Sequence, residues 1–227
     1  MEEIVPGLYR VTSILSTSYL IVTGEGLTLI DAGTAGGHRR ILRAIANLGY
    51  VPSQLRHILI THADGDHVGG LVPLVAASGA QVHASALEAQ ALARGQFSRP
   101  LRLRGLLRFI FWLAQPLYRV TPFDAVEVIK EGDILPGLGG LHVVETPGHT
   151  PGHLSFFAPV SGVLFAGDSI AYRNGRMRRP FSLVTWDDQI ALASLRKQAA
   201  LQPQIVCLGH GPVVYNASSK FPRVINV

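Results

Sequence analysis

Cysteine is almost missing from this sequence. Cys207 is the only one in 227 residues, so no intrachain disulfide can form. One thiol is compatible with a reducing cytosol and gives no sign of a disulfide scaffold. In the apolar run Ile205-Val206-Cys207-Leu208 it reads as a small core residue. Charge is scarce too, at 15% against 48% hydrophobic, so most of the chain is expected to pack. No apolar run approaches the ~20 residues that span a bilayer. The start, Met1-Glu2-Glu3-Ile4-Val5-Pro6, is acidic where a secretory leader is basic. These absences leave a soluble cytoplasmic protein as the expectation. A nucleic-acid motif is lacking as well. The net charge of +5 is compatible with an anionic partner, but basic residues gather only at 94–108 and 173–179, and no nucleic-acid partner is expected.

Chemistry is concentrated in Thr61-His62-Ala63-Asp64-Gly65-Asp66-His67-Val68-Gly69-Gly70. The apolar run before it, His57-Ile58-Leu59-Ile60, reads as a buried strand. Alternate residues of an extended chain share one side, so His62, Asp64 and Asp66 can face together, with His67 turning off at a helix start. Two imidazoles and two carboxylates in so short a stretch are too polar to bury uncompensated. A divalent metal compensates them best, because imidazole nitrogen and carboxylate oxygen are its usual ligands. The glycines let backbone fold tightly round such a site.

These residues resemble the signature of the metallo-β-lactamase superfamily, His-x-His-x-Asp-His, with Asp64 standing where the second histidine usually sits. Further landmarks follow in the family's order: Asp31 in Ile30-Asp31-Ala32-Gly33, His149 in Thr146-Pro147-Gly148-His149-Thr150-Pro151-Gly152-His153, Asp168 in Ala166-Gly167-Asp168-Ser169, and His210 in Gly209-His210-Gly211-Pro212. The resemblance implies an α/β fold, a four-layer αβ/βα sandwich of two mixed β-sheets flanked by helices. It implies one domain over residues 1–227 and two divalent metal ions, zinc by default with iron or manganese as alternatives. One ion would be held by His62, Asp64 and His149, the other by Asp66, His67 and His210, with Asp168 bridging. A hydroxide between them would attack a small ester-type bond, a lactone or thioester. Asp66 would carry a proton to the leaving group and Tyr172 would donate to the oxyanion. Asp31 would support the site from behind the ligands, and His153 would orient its neighbours. The carboxylate at Asp64 adds negative charge and hardness, which shifts preference toward iron or manganese.

Strands are expected near 8–12, 18–23, 27–31, 81–84, 125–129, 141–145, 154–158, 162–166 and 205–208. Helical spacing covers 38–48, 68–78, 85–94 and 185–201, the last capped by Thr185 and burying Ile190, Leu192 and Leu195. Residues 95–122 read as an insertion, a loop at 94–100 followed by an apolar helix with Arg102, Arg104 and Arg108 interleaved. Because 109–113 is apolar on every helical face, that segment must be buried, paired or lipid-facing. The preferred reading is a lid that walls the pocket, with a homodimer contact through 100–118 or a membrane-surface element as alternatives and no stable membrane insertion. The expected partner is a small-molecule substrate with an apolar or acyl portion. Two other functions stay open: a mononuclear iron dioxygenase acting on persulfides, and a non-catalytic binding protein of the same fold.

Overall fold

Alternation of side chains along the strands sets the layering. In the computed structural model the described residues are 1–13, 15–101 and 105–225, and the side chains of Leu107 and Phe111 fall outside them. Arg102 and Arg104 of the interleaved basic set therefore lie outside the described residues.

One sheet runs in chain order: β1 (Glu2–Val5), β2 (Leu8–Thr12), β3 (Thr17–Thr23), β4 (Gly26–Ile30), β5 (Leu55–Leu59), β6 (Gln81–Ala84) and β7 (Val126–Val128). It is antiparallel through β4 and parallel from β4 to β7. The second contains β8 (Ile134–Leu135), β9 (Leu141–Glu145), β10 (Leu154–Ala158), β11 (Val163–Gly167), β14 (Ile205–Leu208) and β15 (Val214–Tyr215), in the order β15-β14-β11-β10-β9-β8. Only its β11–β14 pair is parallel. Between β11 and β14 the chain makes a separate hairpin, β12 (Ala171–Arg173) with β13 (Arg176–Arg178).

Parallel neighbours need long crossovers, and helices supply them. They are α1 (His38–Asn47), the single turn α2 (Gly65–Val68), α3 (Leu71–Ser78), α4 (Ala86–Arg94), α5 (Gly105–Ala114) and α6 (Asp188–Ala200); the short α7 (Pro222–Ile225) follows β15. Leu20, Leu29 and Ile58 point from the first sheet to Ile41 and Ile45 of α1 and Leu74 of α3. Their neighbours Tyr19, Ile21, Ile30 and Leu59 point the other way, onto Val143, Phe156, Phe165 and Cys207 of the second sheet. Tyr19 and Phe165 meet edge to face at 5.4 Å across that interface. The outer face of the second sheet, Leu164, Ala166 and Val206, is covered by Leu195 of α6 and Val224 of α7. Helix, sheet, sheet, helix is the four-layer sandwich that the resemblance implies.

Two expectations need correction. The helix read over 68–78 is broken into α2 and α3: at the break the Gly70 amide donates to the Gly33 carbonyl at 3.2 Å, and Gly69 and Gly70 pass so close to backbone that a Cβ would come within 2.3 Å of Ala35 N and of Ala32 O. The cap of α6 is Asp187, whose Oδ1 accepts from the amides of Gln189 and Ile190, while the Thr185 hydroxyl is turned to the Phe181 carbonyl at 2.7 Å. The buried face of α6 is Ala191, Ser194, Leu195 and Gln198, with Ile190 and Leu192 half-buried. In the single chain Leu106, Phe109, Trp112 and Leu113 of α5 are each more than half exposed, while Ile110 and Ala114 line a cavity. Among the described residues no helix is long and apolar enough to cross a membrane.

Candidate metal centre

Every candidate ligand lies beyond the C-terminal end of a strand or in a loop at the same edge of the sandwich. Asp31 follows β4, the run from His62 to His67 follows β5, His149 lies between β9 and β10, Asp168 follows β11 and His210 follows β14. The turn to α2 brings His67 back beside Asp66. Three donor groups result: His62, Asp64 and His149; His62, His67 and Asp168; and Asp66, His67 and His210, each with its donor atoms mutually within 4.8 Å.

Their spacing suits a cation. Asp64 Oδ2 is 3.6 Å from His62 Nε2 and 3.4 Å from His149 Nε2. On the other side His210 Nε2 is 3.2 Å from Asp66 Oδ2 and 3.1 Å from Asp168 Oδ2, and His67 Nε2 is 3.4 Å from Asp168 Oδ1. Ligands held at 2.0–2.2 Å by one tetrahedral ion lie about 3.3–3.6 Å apart. Asp168 Oδ2 is also 3.6 Å from His149 Nε2, so this carboxylate touches both groups. His62 Nε2 and Asp168 Oδ1 are buried and have no hydrogen-bond partner among the described residues. Unpaired buried polar atoms are costly, and a shared metal centre is the ligand that these donors fit.

Behind the donors stands a layer of fixed hydrogen bonds. Asp31 holds a left-handed backbone angle, φ 59°, which is costly for a residue other than glycine. Its carboxylate accepts from Thr61 N at 2.9 Å, from the Thr61 hydroxyl at 2.8 Å and from His67 Nδ1 at 2.8 Å. Since the Thr61 hydroxyl donates to Asp31, its contact with His62 Nδ1 at 2.9 Å is a bond that Nδ1–H donates. Both His62 and His67 are thereby turned with Nε2 toward the site. His153 Nε2 accepts from the Asp168 amide at 3.1 Å while Nδ1 meets Thr146 at 2.8 Å, so it positions Asp168 without being a donor itself.

The electrostatics follow from crowding carboxylates in a dry place. Burial drives the Asp168 carboxyl up, but His210 and His67 outweigh it and hold it well below the usual range. Burial likewise opposes ionised Asp64, and His62, His149 and Arg99 reverse it. In return, Asp168 pushes His210 up to about 10, and Asp168, Asp31 and Asp66 overcome burial to raise His67 well above its ordinary value. Burial, with His62 and His149 alongside, keeps His153 neutral, as its accepting Nε2 requires. The cluster calls for positive charge, supplied by protons or by metal.

Two groups that matter here were not singled out from the sequence. Arg99 is 6% exposed and grips Asp64 with both guanidinium arms, at 2.6 and 2.8 Å. Glu88 is fully buried; its carboxylate accepts from Ala63 N at 2.9 Å, Ser98 Oγ at 3.0 Å, Thr150 Oγ1 at 2.7 Å and Gly152 N at 3.1 Å. It therefore ties the motif loop, the insertion and the His149 loop together. The only sequence signal for Glu88 was Ser85-Ala86-Leu87-Glu88, which reads as a capping box; Ser85 does cap α4, but the glutamate is used elsewhere. Tyr172 on β12 helps line a cavity with His149, Asp168 and His210. A second cavity of about 350 Å³ is walled by Phe97, Leu101, Ile110, Ala114 and Tyr118 above Asp66 and Asp168, a size in the ~300–1,000 Å³ range of small-molecule sites. Burial, then Asp66, Asp168 and Asp64, push the Tyr118 phenol up, so it stays a hydrogen-bond donor.

Fold and donor set together define a metal-centre protein of the αβ/βα sandwich class. A family profile described as the metallo-β-lactamase superfamily matches residues 12–210, and the chain belongs to that superfamily of metallo-hydrolases. The chain is similar to the uncharacterised Bacillus subtilis (strain 168) protein YobT, 31% identical over 91% of this chain and 88% of that protein. It is 33% identical to a hydroxyacylglutathione hydrolase of Cereibacter sphaeroides over 86% of this chain, and the aligned part is 61% of that enzyme's length. Among solved structures, TTHA1623 in a di-iron-bound form superposes with a TM-score of 0.70 at 29% identity, over 93% of this chain and 96% of that one.

Proposed function

We propose that this protein is a hydrolase of small ester-type bonds, a thioester or a lactone, working with two divalent ions. The observation that carries the reading is the pair of His/Asp donor groups joined through Asp168 at the floor of an apolar-walled cavity. Two linked groups favour hydrolysis over the mononuclear iron oxygenase chemistry also found in this superfamily. Similarity to a hydroxyacylglutathione hydrolase supports a thioester, and the di-iron form of TTHA1623 supports iron beside zinc as the metal.

In this reading His62, Asp64 and His149 hold one ion, and Asp66, His67 and His210 hold the other, with Asp168 between. When bound, such ions lower the pKa of water toward neutrality and polarise a carbonyl. The chain's own residues do the rest. Asp31, Thr61 and His153 fix the donors so that little reorganises during reaction. Asp66 borders the cavity and passes a proton toward the leaving group. Ile110 and Ala114 of α5 face the acyl part of the substrate and keep water from it, and Tyr118 or Tyr172 donates to the carbonyl oxygen.

The test is a panel of thioesters, lactones, β-lactams and phosphodiesters, run with metal-loaded and chelator-treated protein. Turnover of a thioester or lactone, lost in chelator and restored by zinc or iron, is the expected result. No metal-dependent turnover across the panel, or oxygen uptake with a persulfide in its place, overturns the proposal.

A further inference from the structure

Residues 89–123 carry six arginines and no acid. A buried arginine in that segment must find its counter-ion elsewhere. Arg99 finds it 35 residues away in Asp64: Nη1 to Oδ1 at 2.6 Å and Nη2 to Oδ2 at 2.8 Å. Its Nε is anchored on the Val184 carbonyl at 3.0 Å, in the loop before α6. Nη2 also lies 3.2 Å from His149 Nε2. This is a planar fork on a carboxylate, fixed from behind, a geometry that guanidinium serves and ammonium does not.

We propose that Arg99 is a positioning residue for the first metal site, and that the Asp64–Arg99 pair together does the work of the histidine this position usually carries. The inference rests on the function proposed above and goes beyond it. Two imidazoles and a carboxylate carry one more negative charge than three imidazoles; one guanidinium cancels it. The fork also fixes the carboxylate plane, leaving Oδ2 at 3.6 and 3.4 Å from His62 and His149. The guanidinium does not itself complete the set, because His62 Nε2 still lacks a hydrogen-bond partner among the described residues. Loading the site gives up the single contact to His149, whose lone pair the ion takes, and keeps both contacts to Asp64. Because Arg99 comes from the insertion, the segment that walls the cavity is tied to the same ligand.

The experiment is a Co(II) titration of the full chain, read by visible d–d absorption and by competition with a chromophoric chelator. It is run on wild type, Arg99→Gln, Arg99→Lys, Asp64→His and the Asp64→His/Arg99→Gln double variant, with thermal unfolding alongside. Removing a group that orients a ligand typically costs about 10–100-fold in metal affinity. Arg99→Gln is expected to weaken one of two Co(II) sites by that factor and leave the other unchanged, with Arg99→Lys in between. In the Asp64→His background the sign reverses: an unpaired guanidinium repels the ion, so adding Arg99→Gln tightens binding. A merely structural tie lowers the unfolding temperature in both backgrounds without reversing anything. Arg99→Gln that binds both ions as tightly as wild type, or more tightly, overturns this inference while leaving the hydrolase reading intact. A wild-type chain that takes up no Co(II) removes both.

Discussion

Replacing Glu88 tests how the site is held together, and its cost can be worked from four hydrogen bonds. In Glu88→Ala the hydroxyls of Ser98 and Thr150 can rotate to other partners, but the amides of Ala63 and Gly152 lose their acceptor in a fully buried place. An unsatisfied buried donor costs about 1–3 kcal/mol, so the two together cost about 2–6 kcal/mol. A domain has only about 5–15 kcal/mol to lose, and at about 2–4 °C per kcal/mol for a chain of this size the midpoint should fall by roughly 5–20 °C. Glu88→Gln is the sharper variant. Whichever way its amide lies, one N–H of Ala63 or Gly152 faces an NH2 group, so it should lose about half as much, 1–3 kcal/mol. Urea denaturation of wild type and both variants supplies the free energies. Equal stability of wild type and Glu88→Gln, within about 0.5 kcal/mol, would refute the claim that this carboxylate binds three loops.

Three further outcomes follow from the geometry. Gly209→Ala puts a Cβ 2.1 Å from Asp168 Oδ1 and 2.8 Å from His67 Cε1; an ångström of displacement there should lower turnover by about 10²-fold or more, and unchanged rates would count against Asp168 as the shared ligand. Asp168→Ala should abolish hydrolysis and drop at least one ion per chain by elemental analysis, since both donor groups touch that carboxylate. Cys207 is fully buried, and burial pushes its thiol up, so a disulfide reagent should titrate no thiol in native protein and one after denaturation; rapid native labelling would contradict the core placement.

How much was visible in the sequence depended on whether a residue's partner was near it in the chain. The His and Asp side chains that the fold brings together drew notice in the sequence because they sat just past apolar strands, where burial demands compensation. The long strands and α1, α4 and α6 were legible from periodicity. β1, β8, β12, β13 and β15 have only two to four residues each and exist through their pairing, which no local pattern encodes. Thr185 and Asp187 are both good caps, and tertiary packing chose between them. Gly69 and Gly70 read as letting backbone fold tightly round the site, and they do lie in close backbone contact; what the local pattern did not show was that the helix read over 68–78 is interrupted there. Arg99 was one arginine among several in a loop; only folding brings it to Asp64. Glu88 was hidden by a pattern that has a simpler local meaning.

The central claim is that donors drawn from positions 62 to 210 meet around a pair of ions bridged by Asp168. Anomalous diffraction from crystals of the metal-loaded protein tests it most directly. Two peaks about 3.5–4 Å apart, one beside His62, Asp64 and His149 and the other beside Asp66, His67 and His210, are the predicted result. A single peak, or none at these residues, would contradict it.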